Sequence, residues 1–269
     1  MNITLHDIAD ETRKAVDAAR GGRSLAEVQA EVDGLPDPRC FFEAVTGTPG
    51  QSDVRIIAEF KRASPSGGEI RTGADPVDIA KQYENAGAVA ISCLTDAPFF
   101  GGSLEDLAAI HGAIKLPILR KDFMIDPYQI WEARAAGADA VLLIAELLDD
   151  QQLIDLSTLA EELGLTTLFE VHDLDNLQRV EPLLQGKRLL GVNNRDLKTM
   201  TTDLAHIESM LDHLSNYSEI LVCESGIRNA SDITRLRQQG IRRFLIGETL
   251  LRADDPCHAL KAMTSTLDT

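Results

Sequence analysis

Glu59, Lys61, Lys121, Glu170, Asn193, Arg195, Glu224 and Ser225 each stand at or just past an apolar run of the kind that forms a β-strand. The runs are IIAEFK from Ile56, PILRKDF from Pro117, TTLFEV from Thr166, LLGVNNRD from Leu189 and ILVCESG from Ile220. An ionisable group placed there loses its water at a cost that function has to justify. Alternate residues of a strand share a face, so Glu59 and Lys61 point one way, as do Asn193 and Arg195. Two lysines and three glutamates in one water-poor cleft shift each other's pKa values and supply an acid and a base near neutrality. The chemistry this permits is proton transfer. A structural ion pair is a fair account of Glu59 with Lys61 alone. It weakens for the whole set, because surplus buried carboxylates destabilise a fold.

Such residues need strands that bring them together. From Val54 onward the chain repeats a β-branched run, a polar loop and an amphipathic stretch at helical spacing. Strands are predicted near 54–60, 88–94, 117–121, 139–144, 166–171, 188–193, 219–223 and 243–246. Helices are predicted to begin near Asp75, Ser103, Pro127, Asp149, Asp173, Asp203, Asn229 and Asp254, many on an Asp, Asn or Ser cap or an early Pro. Eight such repeats predict an α/β fold, a (β/α)8 TIM barrel, whose catalytic groups lie at the carboxyl ends of the strands. The rival is a doubly wound open sheet. No GxGxxG turn follows the first strand, and the polar tips are spread along the chain instead of clustering at one switch point. Residues 1–45 read as an amino-terminal helical extension, with helices near 5–20 and 24–32, packed across an end of the barrel. Residues 46–269 read as the barrel, which holds the catalytic groups, and GLPDPRC (34–40) reads as a linker.

Gly226 and Gly247 follow the seventh and eighth strands, where barrels often bind phosphate through backbone N–H groups. For either glycine alone a turn requirement is the plain alternative. Ser64 offers a hydroxyl there, and Arg195 or Lys61 a positive charge. Glu248 is awkward beside a phosphate, and its carboxylate is expected to turn outward. Phe99, Phe100 and Phe123 follow strand ends, where core packing and contact with a planar ligand are equally good readings. His172 and Trp131 read as structural, and Cys223 as a small hydrophobe facing away from the Glu224 side.

The chain has 43 acidic and 26 basic residues and a net charge of -17, which argues against nucleic acid or an anionic membrane as partner. Four cysteines lack CxxC or metal-ligand spacing, so no metal site is expected. With no signal-peptide pattern and no apolar run long enough for a bilayer, a cytoplasmic protein is expected.

The segments IIAEFKRASPS, LTDAPFFGGS, ILRKDFMID, LFEVHD, GVNNRDL, CESGI and FLIGETLLR, in this order, closely resemble the indole-3-glycerol-phosphate synthase family from about residue 54 to the end. The resemblance implies ring closure of carboxyphenylamino-deoxyribulose phosphate, with loss of carbon dioxide and water and no cofactor, in tryptophan biosynthesis. Lys121 would be the general acid, Glu170 the base for dehydration, and Lys61 the partner of substrate anions. Glu59, Asn193 and Glu224 would orient them. Ser64, Arg195, Ser225, Gly226, Gly247 and Glu248 match phosphate-binding positions, and Pro65, Phe100, Phe123 and Leu197 match the aryl pocket. The expected partner is a small anionic sugar phosphate. A monomer is expected, with other tryptophan-pathway enzymes as candidate associates. The departures are Gly67 where the family commonly has a basic residue, Pro98 where it commonly has Lys, and Glu248 where some relatives have Ser. The rivals are an isomerase such as phosphoribosylanthranilate isomerase, a Schiff-base aldolase and a non-catalytic sugar-phosphate binder. The isomerase would not need Lys61, Lys121 and Glu170 together, a binder gains little from several buried charges, and borohydride trapping on Lys121 or Lys61 would favour the aldolase.

Overall fold

A computed structural model describes residues 5–47, 54–65, 67–196 and 201–264. Eight parallel strands close into a barrel: β1 (Arg55–Phe60), β2 (Ala90–Leu94), β3 (Ile118–Lys121), β4 (Ala140–Ile144), β5 (Thr166–Val171), β6 (Arg188–Asn193), β7 (Leu221–Glu224) and β8 (Arg243–Ile246). Each strand pairs with its sequence neighbours, and β1 closes the ring on β8 through Ile57 opposite Leu245. The open-sheet rival is excluded by that closure.

Strand alternation divides the apolar residues into two layers. Ile57, Ala90, Leu119, Leu142, Leu168, Leu189, Val222 and Leu245 fill the barrel interior. Ile56, Ala58, Phe60, Ile91, Ile118, Val141, Phe169, Cys223 and Phe244 pack outward against the helices. Two residues beyond the interior position on the same face stand Glu59, Lys121, Glu170, Glu224 and Gly247. The strand period therefore aims the polar tips into the barrel.

The helices between strands begin where the sequence supplies caps. Asp75, Ser103, Asp126, Asp149, Asp173 and Asn229 each accept a backbone N–H in the first turn that follows them.

The amino-terminal segment forms α1 (Leu5–Gly22), α2 (Leu25–Val32) and a short α3 (Phe41–Thr46), the last not anticipated. Arg20 of α1 pairs with Asp126 at 2.6 Å, and the Tyr128 hydroxyl donates to the Arg23 carbonyl at 2.9 Å. Phe41 and Val45 of α3 are fully buried in the interior cluster. Arg55 donates to the Ala44 carbonyl, and Arg243 to those of Val45 and Thr46, so α3 closes the end where strands start. The 34–40 segment is more than a linker. Arg39 donates to Asp139 through its backbone N–H and to the Leu116 and His111 carbonyls through its guanidinium, all within 2.8 Å.

Candidate active site

At the carboxyl ends of the strands lies a cavity of about 760 Å³. Glu59, Lys61, Lys121, Glu170, Asn193, Arg195, Glu224, Ser225, Gly226, Gly247 and Glu248 all line it, drawn from the ends of six strands. Phe100 and Phe123 line it too, with ring centroids 6.2 Å apart.

Lys121 is the centre of the ionic set. Its Nζ donates to Glu170 Oε2 at 2.8 Å and to Glu224 Oε2 at 3.1 Å. Asn193 Nδ2 donates to Glu170 Oε1 at 2.9 Å, and the Asn193 side-chain oxygen accepts the Arg195 N–H at 3.0 Å. Lys61 donates to Glu59 at 2.6 Å, a second buried pair. Sheet register explains these meetings, because Glu224 lies opposite Asn193 and Leu245, while Glu170 lies opposite Ile144 and Gly191.

Two glycines make room for the carboxylates. A methyl group at Gly191 would overlap Glu224 Oε1, and one at Gly247 would overlap Glu59 Oε1. Ser225 is the one non-glycine residue with positive φ among those described, at 63°, and with Gly226 at 87° it bends the chain past β7.

Burial works to lower the Lys121 pKa, but the carboxylates of Glu170, Glu224 and Glu59 outweigh it, and the group stays protonated. Burial works to raise Glu170, yet Lys121 and Asn193 hold it below the usual carboxylate range. Glu224 is pushed up to about 8, first by burial and then by the charge of Glu170, which outweigh the attraction of Lys121. The site thus stores a protonated acid beside an ionised base.

Other sequence expectations fare differently. Ser64 is buried, and its Oγ accepts the Gly67 N–H at 2.9 Å, so it braces the loop after β1 and is not among the cavity-lining residues. Pro65 sits in the same turn, also outside the lining. Leu197 lies outside the described residues. The Glu248 carboxylate does not turn outward: Oε1 accepts from Arg252 Nε at 2.9 Å, and Oε2 lies 3.7 Å from Arg195. The charges already lodged there draw it in. His172 is structural, its Nδ1 meeting the Asn193 carbonyl at 2.9 Å and its ring stacking on His206. Arg228, Arg252 and Thr202 line the cavity without having been anticipated. They belong to loops and a short helix beyond the strand tips, where an exposed polar residue carries no pattern that marks it.

The chain also has counterparts among known proteins. The chain is 48% identical over 263 residues to an indole-3-glycerol phosphate synthase of Rhodopirellula baltica, covering 97% of this chain and 99% of the relative. A second, of Desulfosudis oleivorans, is 44% identical over 262 residues, covering 97% and 98%. The crystal structure of 3-hexulose-6-phosphate synthase from Salmonella typhimurium superposes with a TM-score of 0.58 over 80% of this chain and 98% of that one. At 15% identity this likeness concerns the barrel alone. The sequence model of indole-3-glycerol phosphate synthase matches residues 5–263, and with it the chain belongs to that family of carboxy-lyases.

Proposed function

We propose that the cavity closes the indole ring of carboxyphenylamino-deoxyribulose phosphate, releasing carbon dioxide and water, as a step of tryptophan biosynthesis. The observation that carries this reading is Lys121, bonded at once to Glu170 and Glu224 inside one cavity. Lys121 protonates the substrate's carbonyl oxygen as the aryl carbon attacks the carbonyl carbon and the C=O becomes C–OH. The ring then regains aromaticity as its carboxylate leaves. Glu170, ionised at rest, takes the proton from the adjacent carbon while Lys61 gives a proton to the hydroxyl, which departs as water. Lys61, paired with Glu59, faces the substrate's anionic groups, and Asn193 and Glu224 hold the acid and base in line. Phe100 and Phe123 receive the aryl ring. Arg195, Ser225, Gly226, Gly247 and the Glu248 backbone receive the phosphate at the ends of β6, β7 and β8.

We assign residues 46–269 as the catalytic barrel and 1–45 as an extension that braces it. We place the reaction in the cytoplasm, in keeping with four free thiols. No described helix is long and apolar enough to cross a membrane. One chain supplies all the residues assigned here, which suits a monomer, and other enzymes of the same pathway are the associates to test.

Turnover is followed by the fluorescence of the indole product. Lys121→Ala and Glu170→Gln should each lower kcat by about 10²-fold or more with KM within a few-fold, the pattern of groups that act in the transition state. A variant that keeps wild-type kcat would remove its residue from the mechanism. A covalent adduct trapped on Lys121 by borohydride would favour Schiff-base chemistry instead.

A further inference from the structure

Glu248 gathers cations from three separate segments around one carboxylate. Arg252, one turn along the same short helix, donates to Oε1 at 2.9 Å, and Arg195 at the end of β6 lies 3.7 Å from Oε2. Burial works to raise the Glu248 pKa, but the Arg252 hydrogen bond and the charges of Lys61, Arg252 and Arg195 hold it low, so the carboxylate is ionised. Arg252 also reaches across to the loop after β1, where its Nη2 donates to the Gly67 carbonyl at 2.8 Å. A side chain at 67 would crowd that approach. A methyl there would come within 2.7 Å of Ser64 Oγ, 2.9 Å of Glu248 Oε1 and 3.1 Å of Arg252 Nη2. All of these residues except Ser64 line the cavity.

A structural ion pair is the plain account of Glu248 with Arg252. Yet the Glu248 side chain is 32% exposed and that of Arg252 45% exposed, so water competes for both and the pair contributes little to folding. What the cluster does hold is an anion, one carboxylate, in contact with cations at the mouth of a cavity. A phosphate dianion carries more charge and more acceptor oxygens than a carboxylate, and it competes well for the same guanidinium groups.

We propose that Glu248 is a resident counter-anion that keeps Arg252 and Arg195 poised at the cavity mouth, and that the substrate's phosphate takes Arg252 over from it. Arg252 is then a phosphate-binding residue, and Glu248 is a built-in competitor that sets how tightly phosphate is held. This deepens the ring-closure reading and rests on it for the identity of the phosphate's carrier.

The test uses inorganic phosphate as the probe, with its Kd measured by calorimetry on the full chain, alongside the KM for the carboxyphenylamino sugar phosphate. Glu248→Gln removes the competing charge while keeping the shape, and both constants should fall by about threefold to tenfold. Arg252→Met should raise both by about tenfold. In the double variant the gain from Glu248→Gln should shrink to what acts through Arg195, since most of the competition acts through Arg252. Weaker phosphate binding in Glu248→Gln would overturn the proposal, as would strictly additive effects in the double variant. Thermal melting of each variant establishes that it is folded, and Arg252→Lys, which keeps the charge, should recover part of the lost affinity. If phosphate binding shifts as expected while the wild-type chain forms no indole product, the anion exchange stands and the ring-closure reading falls.

Discussion

Lys121 sits between two carboxylates that do not share it equally. Glu170 has Asn193 as a second donor and stays ionised, whereas Glu224 Oε1 is buried without a hydrogen-bond partner and its carboxyl is pushed up to about 8. Near neutrality Glu224 therefore carries a proton, which limits the negative charge that an anionic substrate meets. The groups facing it are Lys121 from β3 and Glu170 from β5, with the Glu59–Lys61 pair of β1 also in the cavity. Above about pH 8 the proton leaves and one negative charge is added, so KM should rise by roughly threefold or more. Steady-state kinetics from about pH 6.5 to about 9 measure this, and Glu224→Gln should flatten the rise. Arg120, one residue before Lys121, shows how a strand separates roles. It is more deeply buried and faces the other way, paired with Asp122 at 3.0 Å and Glu132 at 2.9 Å, and it is not among the cavity-lining residues.

At the scale of elements, barrel strands were legible because each joins an apolar run of period two to a polar tip, and the observed strands fall within a residue or two of the expected ones. The site residues on those strands were legible for the same reason. The shortest helices and the small hairpin were not. Phe41–Thr46 has no side-chain cap at Cys40, and its FFEAVT is too short to display a helical period. Helix Glu248–Arg252, which carries the unanticipated Arg252, is shorter still. The hairpin of Ala63–Ser64 with Gly68–Glu69 depends on the Ser64 hydroxyl folding back on Gly67, a tertiary bond that no local pattern announces. The unanticipated α3 has a measurable role. Phe41→Ala should cost about 3–5 kcal/mol by emptying a fully buried site, seen as a lower denaturant midpoint. The cavity lies at the opposite end, so the folded fraction should turn over at close to the wild-type rate.

For the molecule as a whole, burial drives several carboxyls upward together. Asp96 and Asp139 reach about 6, Glu146 about 7 and Glu224 about 8. Unfolded, these groups ionise in the ordinary carboxylate range, so between there and about pH 8 the native state binds more protons than the unfolded chain. These four groups make stability fall as pH rises through that window, while His111 and His206, whose pKa values burial lowers, act the other way at its acid end. Glu170, held low, likewise acts in the opposite sense, and its contribution is lost as pH falls below the ordinary range. The net charge of -17 adds self-repulsion that also grows with pH. The thermal midpoint should therefore be higher at about pH 5.5 than at about pH 8, and salt of about 0.2 M should narrow the gap. A midpoint that climbs over this interval would refute the account.

Closure of β1 against β8 also dictates how the chain must be made. One flank of β1 can pair with β2 early in synthesis, but the other waits for residues 243–246, near the carboxyl end. Until then the nascent protein presents an unpaired strand edge, and Arg243, which ties α3 to the barrel floor, has not emerged from the ribosome. Chains stopped short of β8 would leave the ribosome as sticky half-rings, prone to join one another edge to edge in place of their own missing stave.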